Sequence, residues 1–152
     1  MSTANQLLVF GLDEQRYGLP LVLVGRVARV VGITPLPKAP DVVLGVVNVQ
    51  GQIIPVIDLR RRFSRPDRGM LLTDVLLMSH TRRRPVALVA DSVMGIVDCS
   101  EQDIVRSDAI LPGVEYIAGL LKLKDGLILI HDIDKFLSLE EEECLDQAMV
   151  TA

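Results

Sequence analysis

The chain has 152 residues, of which 16 are basic and 20 acidic, so its net charge is −4. This length fits one domain, and the charge balance excludes the overall positive field with which many proteins attract nucleic acid or anionic lipid. Two widely separated cysteines, Cys99 and Cys144, lack the spacing of a zinc or redox motif and are predicted to be free thiols. Because no signal peptide and no apolar run of roughly 18 residues is present, we predict a cytoplasmic protein without direct membrane insertion.

Short apolar segments separated by turn residues recur along the chain. Hydrophobic residues make up 49% of the sequence but aromatic residues only 3%, so the core must consist of Val, Leu and Ile, which favour strands. Many short strands at this spacing indicate a mainly β protein with a barrel or sandwich architecture. In chain order the predicted strands are 7–12, 26–31, 44–49, 53–59, 75–79, 86–89, 95–97, 117–123 and 127–133.

A pattern at 45–63 returns at 119–136. Each copy has a glycine, an apolar strand, a turn with glycine, a second apolar strand, and then Asp, an aliphatic residue and Phe within about one helical turn. Asp58 in the first copy and Asp132 or Asp134 in the second are predicted to cap these short helical turns. The repeat suggests two topologically related halves.

The domain organisation follows from this repeat. We predict a single domain over 1–152, with a first barrel at 15–80 and a second at 81–137. Strand 7–12 lies outside both halves and could pair with the second. The remainder, 138–152, is predicted to be a C-terminal helix or tail.

The C-terminal segment has a helix start signal. Ser138 and Glu141 have the spacing of a capping box, in which each side chain bonds the backbone of the other residue. The apolar face of the helix, Leu145, Ala148 and Met149, is narrow. We therefore expect a short helix that packs at one edge of the domain.

No motif of catalysis or cofactor binding is present. The sequence lacks phosphate-binding glycine patterns and a nucleophile elbow, and His80 and His131 have no companion at metal-ligand spacing. We predict no catalytic residue, no cofactor and no metal, hence a protein that is not an enzyme. A hydrolase using Asp132 or His131 is the least favoured alternative, because it requires a pocket that perturbs their pKa values.

Two arginine-rich loops, Arg60–Arg68 and Arg82–Arg84, leave a second function open. A small β-barrel with basic loops could bind nucleic acid. Such sites usually add aromatic residues that stack on bases, and only Phe63 lies within either loop. We therefore expect a protein-binding role and no nucleic-acid partner.

The residues Gly45 to Arg60, GVVNVQGQIIPVIDLR, closely resemble the core signature of CheW-like adaptors in bacterial chemosensory systems. The resemblance extends over nearly the whole chain. Its further segments are Leu8 to Phe10, Tyr17 to Leu19, the Pro35 to Pro40 loop, 89–97, 118–120 and 127–136.

This resemblance implies both a fold and a function. The fold is mainly β, with two intertwined five-stranded SH3-like β-barrels around a common apolar interface, short helices and a C-terminal helix. The function is that of a non-catalytic adaptor that couples chemoreceptors to a CheA-type histidine kinase. The implied partners are the regulatory domain of the kinase and the cytoplasmic tip of a chemoreceptor, so the protein would be recruited to membrane-associated receptor arrays without any cofactor.

The resemblance also points to candidate binding residues. A receptor tip is a helical hairpin, which needs an apolar groove with a polar rim. We expect Arg60 and the apolar neighbours of the hairpin to act in binding, with valines forming the groove. The protein-binding candidates are Val24, Arg26, Val27, Val47, Asn48, Val49, Gln50, Val56 and Arg60.

Two positions depart from the family pattern. Gln50 stands where the family commonly has Arg before the turn glycine, and Arg26 lies in a segment where an acidic residue is common. The two charges of a pair are thus absent together, which leaves the fold intact. We expect the change to affect the choice of receptor, as in an adaptor for an alternative chemosensory array.

Overall fold

The structure is a computed structural model that describes residues 4–30, 32–66, 69–106 and 117–151. Two α-helices lie within these ranges, α1 (Leu59–Arg62) and α2 (Leu139–Thr151). The strands are β1 (Ala4–Leu12), β2 (Gln15–Pro20), β3 (Val24–Arg29), β4 (Val43–Val49), β5 (Gln52–Asp58), β6 (Val75–His80), β7 (Pro85–Ala90), β8 (Ser92–Ser100), β9 (Ile104–Arg106), β10 (Ile117–Leu123) and β11 (Gly126–His131).

The strands form two sheets, which confirms the predicted mainly β fold. One sheet has five strands in the order β3-β6-β7-β5-β4, and the other has six in the order β8-β1-β2-β11-β10-β9. Only the pairs β5–β7 and β11–β2 are parallel among those described. The second sheet therefore has one strand more than predicted, because β1 and β2 enter it as a hairpin.

The two sheets exchange strands along the chain. β2 belongs to the predicted first half but lies in the six-stranded sheet, whereas β7 belongs to the predicted second half but lies in the five-stranded sheet. β1 lies beside β8 in the six-stranded sheet. The boundaries predicted at 15 and 81 therefore do not separate the sheets, since each is completed by a strand from the other half.

The repeated sequence pattern corresponds to two equivalent hairpins. In β4–β5 the pairing register shifts between Val43 and Gly45, and in β10–β11 it shifts between Ile117 and Gly119. Each glycine allows a close approach of backbone, since a Cβ at Gly45 would lie 2.2 Å from the Thr34 carbonyl oxygen. The second strand of each hairpin then pairs in parallel with the exchanged strand, β7 or β2.

Both hairpins run into capped helical turns, as the sequence predicts. The Asp58 carboxylate accepts a hydrogen bond from the Arg60 backbone N–H at 3.0 Å, and Asp132 accepts one from Asp134 at 3.1 Å. The phenylalanines that end the two copies meet, because the Phe63 and Phe136 rings lie edge to face at 5.6 Å. The two halves thus contact each other at equivalent positions.

Strand alternation divides the apolar side chains among three clusters. On β1, Leu7 and Val9 face a cluster within the six-stranded sheet, whereas Leu8 and Phe10 face a large cluster shared by both sheets. A third cluster within the five-stranded sheet contains Val56. Because β1 is buried on both faces, its sequence is an almost continuous apolar run.

Helix α2 closes one end of the shared cluster. The predicted capping box is present, since Ser138 N–H donates to Glu141 Oε1 at 2.8 Å and Glu141 N–H donates to Ser138 Oγ at 3.1 Å. Leu145 and Ala148 are buried in the shared cluster. The expected packing of this helix at an edge of the domain is confirmed.

Candidate protein-binding groove

A groove of about 250 Å³ opens on the five-stranded sheet between β3, β4 and β6. β3 and β4 are the two edges of that sheet, so the groove lies where its two ends approach each other. We call this feature the β3–β4 groove. Its lining residues are Arg26, Ala28, Arg29, Val47, Asn48, Val49, Gln50, Leu76 and Met78.

The β3–β4 groove has an apolar floor. Val47 and Leu76 are almost fully buried, with exposed fractions of 3% and 2%, and belong to the cluster within the five-stranded sheet. Ala28, Val49 and Met78 are half-buried and form the accessible apolar walls. An apolar side chain that enters the groove would therefore contact aliphatic groups and one thioether, a combination that adapts to different shapes.

The rim of the groove is polar. Arg26, Arg29, Asn48 and Gln50 are all exposed, and no carboxylate lines the groove among the described residues. Exposed polar groups around an apolar floor give the composition that protein interfaces commonly show.

A tight turn positions one side of the rim. Val49 pairs with Gln52, so Gln50 and Gly51 form a two-residue hairpin loop, with φ of 53° and 86°. Positive φ at both positions is typical of a type I′ turn, which matches the twist of the flanking strands. The Gly51 backbone N–H also donates to Asn48 Oδ1 at 2.9 Å. The turn holds Gln50 at the mouth of the groove.

The structure brings together five of the nine predicted binding residues. Arg26, Val47, Asn48, Val49 and Gln50 all line the β3–β4 groove. Val47 forms part of the groove floor and offers little accessible surface, since its side chain is buried.

The other three valines lie elsewhere. Val56 is fully buried because β5 runs between β4 and β7, so its prediction as a groove residue is wrong and it belongs to the core. Val24 packs against the shared cluster. Val27 is 42% exposed but is not among the residues that line the groove.

Arg60 is also placed differently from expectation. Its side chain is only 10% exposed, and its guanidinium lies 2.7 Å from Asp13 in the β1–β2 turn and 2.7 Å from Asp91 before β8. It also donates to the Pro66 carbonyl oxygen at 3.1 Å. Arg60 thus joins segments of both halves inside the protein, which is a structural role rather than a binding role.

The charge network at Arg60 also affects an acidic group. Hydrogen bonds from Arg60, and then from Arg65, hold the pKa of Asp13 below its usual range. The Asp13 carboxylate therefore stays ionised to lower pH in the folded protein than in the unfolded chain.

Sequence reasoning missed four groove residues: Ala28, Arg29, Leu76 and Met78. Ala28 and Arg29 lie on the same predicted strand as Arg26. That position could have identified them as groove residues. Leu76 and Met78 come from β6, which pairs with β3 across about fifty residues of sequence, and no local pattern reveals that contact.

Comparison with known proteins decides the family. The family model described as the CheW-like domain matches residues 6–141. The chain belongs to the CheW-like family. It is 28% identical over 147 residues to the chemotaxis protein CheW of Klebsiella aerogenes, covering 95% of this chain and 89% of that protein. It is 27% identical over 142 residues to the CheW of Treponema pallidum, covering 90% and 84%.

A solved structure supports the same assignment. The scaffolding protein TtCheW from Thermoanaerobacter tengcongensis superimposes with a TM-score of 0.84 at 27% identity, covering 91% of this chain and 96% of that one. The two sheets are accordingly the two SH3-like barrels of the CheW-like fold, as the resemblance implies. The family and these relatives place the chain among chemotaxis adaptors.

The nucleic-acid alternative receives no support from these relatives, and the described arginines weaken its basis. Arg62 pairs with Glu141 at 2.7 Å, and Arg84 pairs with Glu142 at 3.0 Å, so both connect the loops to α2. Arg68 lies outside the described residues. The basic loops thus serve largely as internal cross-links of this CheW-like protein.

The described histidine, cysteine and acidic side chains form no metal-binding cluster. Within residues 4–30, 32–66, 69–106 and 117–151, no group of three or more His, Cys, Asp or Glu side chains could hold a metal ion. His131 is buried and stacks on Phe63 with ring centres 4.2 Å apart. Cys99 and Cys144 are free thiols, and burial raises the pKa of Cys99. None of the described helices is long and apolar enough to cross a membrane.

Proposed function

We propose that this CheW-like protein couples the cytoplasmic tip of a chemoreceptor to the regulatory domain of a CheA-type histidine kinase and catalyses no reaction itself. It works in the cytoplasm, where receptor arrays recruit it to the membrane. The β3–β4 groove is the observation that carries this proposal, because an adaptor needs an accessible apolar surface and the groove provides one.

The groove suits a helical partner. A receptor tip presents an amphipathic helix, whose apolar residues recur on one face every three or four positions. Ala28, Val49 and Met78 offer half-buried apolar contacts, and the floor below them is already packed. The helix can therefore dock without opening the core of the barrel.

A coupling protein needs a second surface, which we place on β8. This strand is an edge of the six-stranded sheet, and its residues Met94 and Ile96 are 52% and 54% exposed. They lie on either side of Gly95, next to an irregularity in the pairing of β8 with β1. The regulatory domain of the kinase would contact this edge, which belongs to the other sheet from the groove.

The coupling role predicts two separate binding events. In calorimetric titrations we expect the purified protein to bind the regulatory domain of a CheA-type kinase and, independently, a receptor-tip fragment from the same source. Chelators should leave both affinities unchanged. If folded protein binds neither partner, the coupling role is wrong and only the fold of the family has been kept.

A negative charge introduced into the β3–β4 groove should weaken receptor binding and leave kinase binding unchanged. We expect Ala28→Asp to weaken binding of the receptor-tip fragment by at least about tenfold, because a carboxylate would replace an apolar contact and lose hydration. Kinase affinity should stay the same. Ala28 is a better probe than Val47, whose buried side chain would carry the new charge into the core.

The matched control is Ala118→Asp, which makes the same change at an exposed position of β10 in the other sheet. It should leave receptor affinity within about twofold of the wild-type value. Equal losses for the two variants would show that the effect depends on net charge and would exclude the groove as the receptor site.

A further inference from the structure

The arginines of this protein fall into two groups. The structure describes the side chains of ten arginines, and eight of them form ion pairs with carboxylates of the same chain: Arg16, Arg60, Arg61, Arg62, Arg65, Arg82, Arg83 and Arg84. Arg26 and Arg29 form no ion pair with any described residue.

Both unpaired arginines line the β3–β4 groove. They lie on its β3 side and are exposed, and the groove contains no carboxylate among the described residues. Its other polar lining residues, Asn48 and Gln50, are uncharged. The groove is therefore a local positive site on an acidic protein.

We propose that the groove selects an acidic partner: a helix whose apolar residues enter the groove and whose Asp or Glu side chains pair with Arg26 and Arg29. This inference rests on the proposed function and specifies the chemistry of the receptor segment. The planar guanidinium binds carboxylate in a bidentate manner, and arginine is enriched in protein interfaces.

Arg29 lies three positions after Arg26, so their Cα atoms are about 10 Å apart along β3 at roughly 3.3 Å per residue. Because residues an odd number of positions apart point to opposite faces of a strand, the two side chains reach the groove from opposite faces of this edge strand. They therefore provide two separate contact points for carboxylates of the partner.

Charge reversal tests this inference. We expect Arg26→Glu/Arg29→Glu to weaken binding of a receptor-tip hairpin fragment by about 30-fold, mainly because favourable pairs become repulsive. Wild-type affinity should fall as NaCl rises from about 50 to 300 mM, whereas the affinity of the variant should rise, because salt screens its repulsion from the acidic fragment. A fragment with two acidic residues of the docking face changed to Lys should regain affinity for the variant and lose it for the wild type.

The control variant changes net charge equally. Lys122→Glu/Lys124→Glu reverses two exposed cations in and beside β10 of the other sheet and should leave affinity for the fragment within about threefold. Unchanged binding of the kinase regulatory domain to both variants would show that they are folded.

Two further outcomes separate the proposals. If the fragment binds the wild type and the Arg26→Glu/Arg29→Glu variant equally, the acidic-partner inference is wrong and the coupling function stands. If the folded wild type fails to bind the fragment at all, the proposed function is wrong, and with it the inference that depends on it.

Discussion

Gly45→Ala is expected to destabilise the protein by about 3 kcal/mol or more. The new Cβ would lie 2.2 Å from the Thr34 carbonyl oxygen, well inside van der Waals contact, so one of the two segments must move. That movement breaks the reciprocal backbone hydrogen bonds between Thr34 and Val46, at 2.9 and 2.8 Å. Two lost hydrogen bonds contribute about 1 kcal/mol each, and the strain of an overpacked site accounts for the rest of the expected destabilisation.

Unfolding in guanidinium chloride measures the change in the free energy of unfolding. Gly51→Ala is the matched control. Gly51 also has an unusual backbone conformation, with φ of 86°, but no atom lies within 4 Å of a Cβ placed there. It should therefore lose only about 1 kcal/mol, the cost of placing a side chain in the left-handed region. Equal losses at the two positions would contradict the close approach at Gly45.

Arg60→Ala is expected to reduce the free energy of unfolding by about 2 to 3 kcal/mol. Removal of the guanidinium leaves Asp13 and Asp91 near each other without their shared cation and deprives the Pro66 carbonyl of a donor. Breaking a fully buried pair costs about 3 to 5 kcal/mol. The expected loss is smaller because the Asp13 and Asp91 side chains are 37% and 23% exposed.

Arg82→Ala is the control for this prediction, since that side chain is 90% exposed in its ion pair with Asp134 and should contribute less than about 1 kcal/mol. Urea denaturation of both variants and the wild type measures the difference. If Arg60→Ala is as mild as the control, Arg60 is not the structural link that its geometry indicates.

The pH dependence of the Arg60 effect has a definite sign. Because the pKa of Asp13 is lowered in the folded state, its ionised form stabilises the protein above the pKa of about 4 found in unfolded chains. This contribution is lost as pH falls through the lower folded value. The stability difference between wild type and Arg60→Ala should therefore shrink as pH decreases below about 4.

The features that sequence analysis predicted correctly depend on neighbouring residues. The Asp58 cap and the Ser138–Glu141 capping box involve groups two or three positions apart, so their residue types suffice. The two hairpins were visible because each copy keeps glycine, turn and cap in the same order. β2 and β9 were not predicted, since β2 contains an arginine and a glycine and β9 has only three residues.

Arg60 shows why the candidate site was only partly predictable. A sequence motif cannot distinguish a free arginine from a paired one when the carboxylates that pair with it lie 47 and 31 residues away. The same limit applies to Val56, which resembles the groove valines in sequence but lies on a central strand. Burial and pairing are decided by contacts between distant segments.

The sequence by itself determined the mainly β composition, the repeated hairpins, the helix caps and, through its signature residues, the resemblance to CheW-like adaptors. Those properties follow from local propensity and residue order. Only the tertiary structure decided which strands are exchanged between the sheets, where the groove lies, and which arginines remain unpaired beside it. Parallel pairing, sheet edges and ion pairs arise between residues far apart along the chain, where no local pattern specifies the partner.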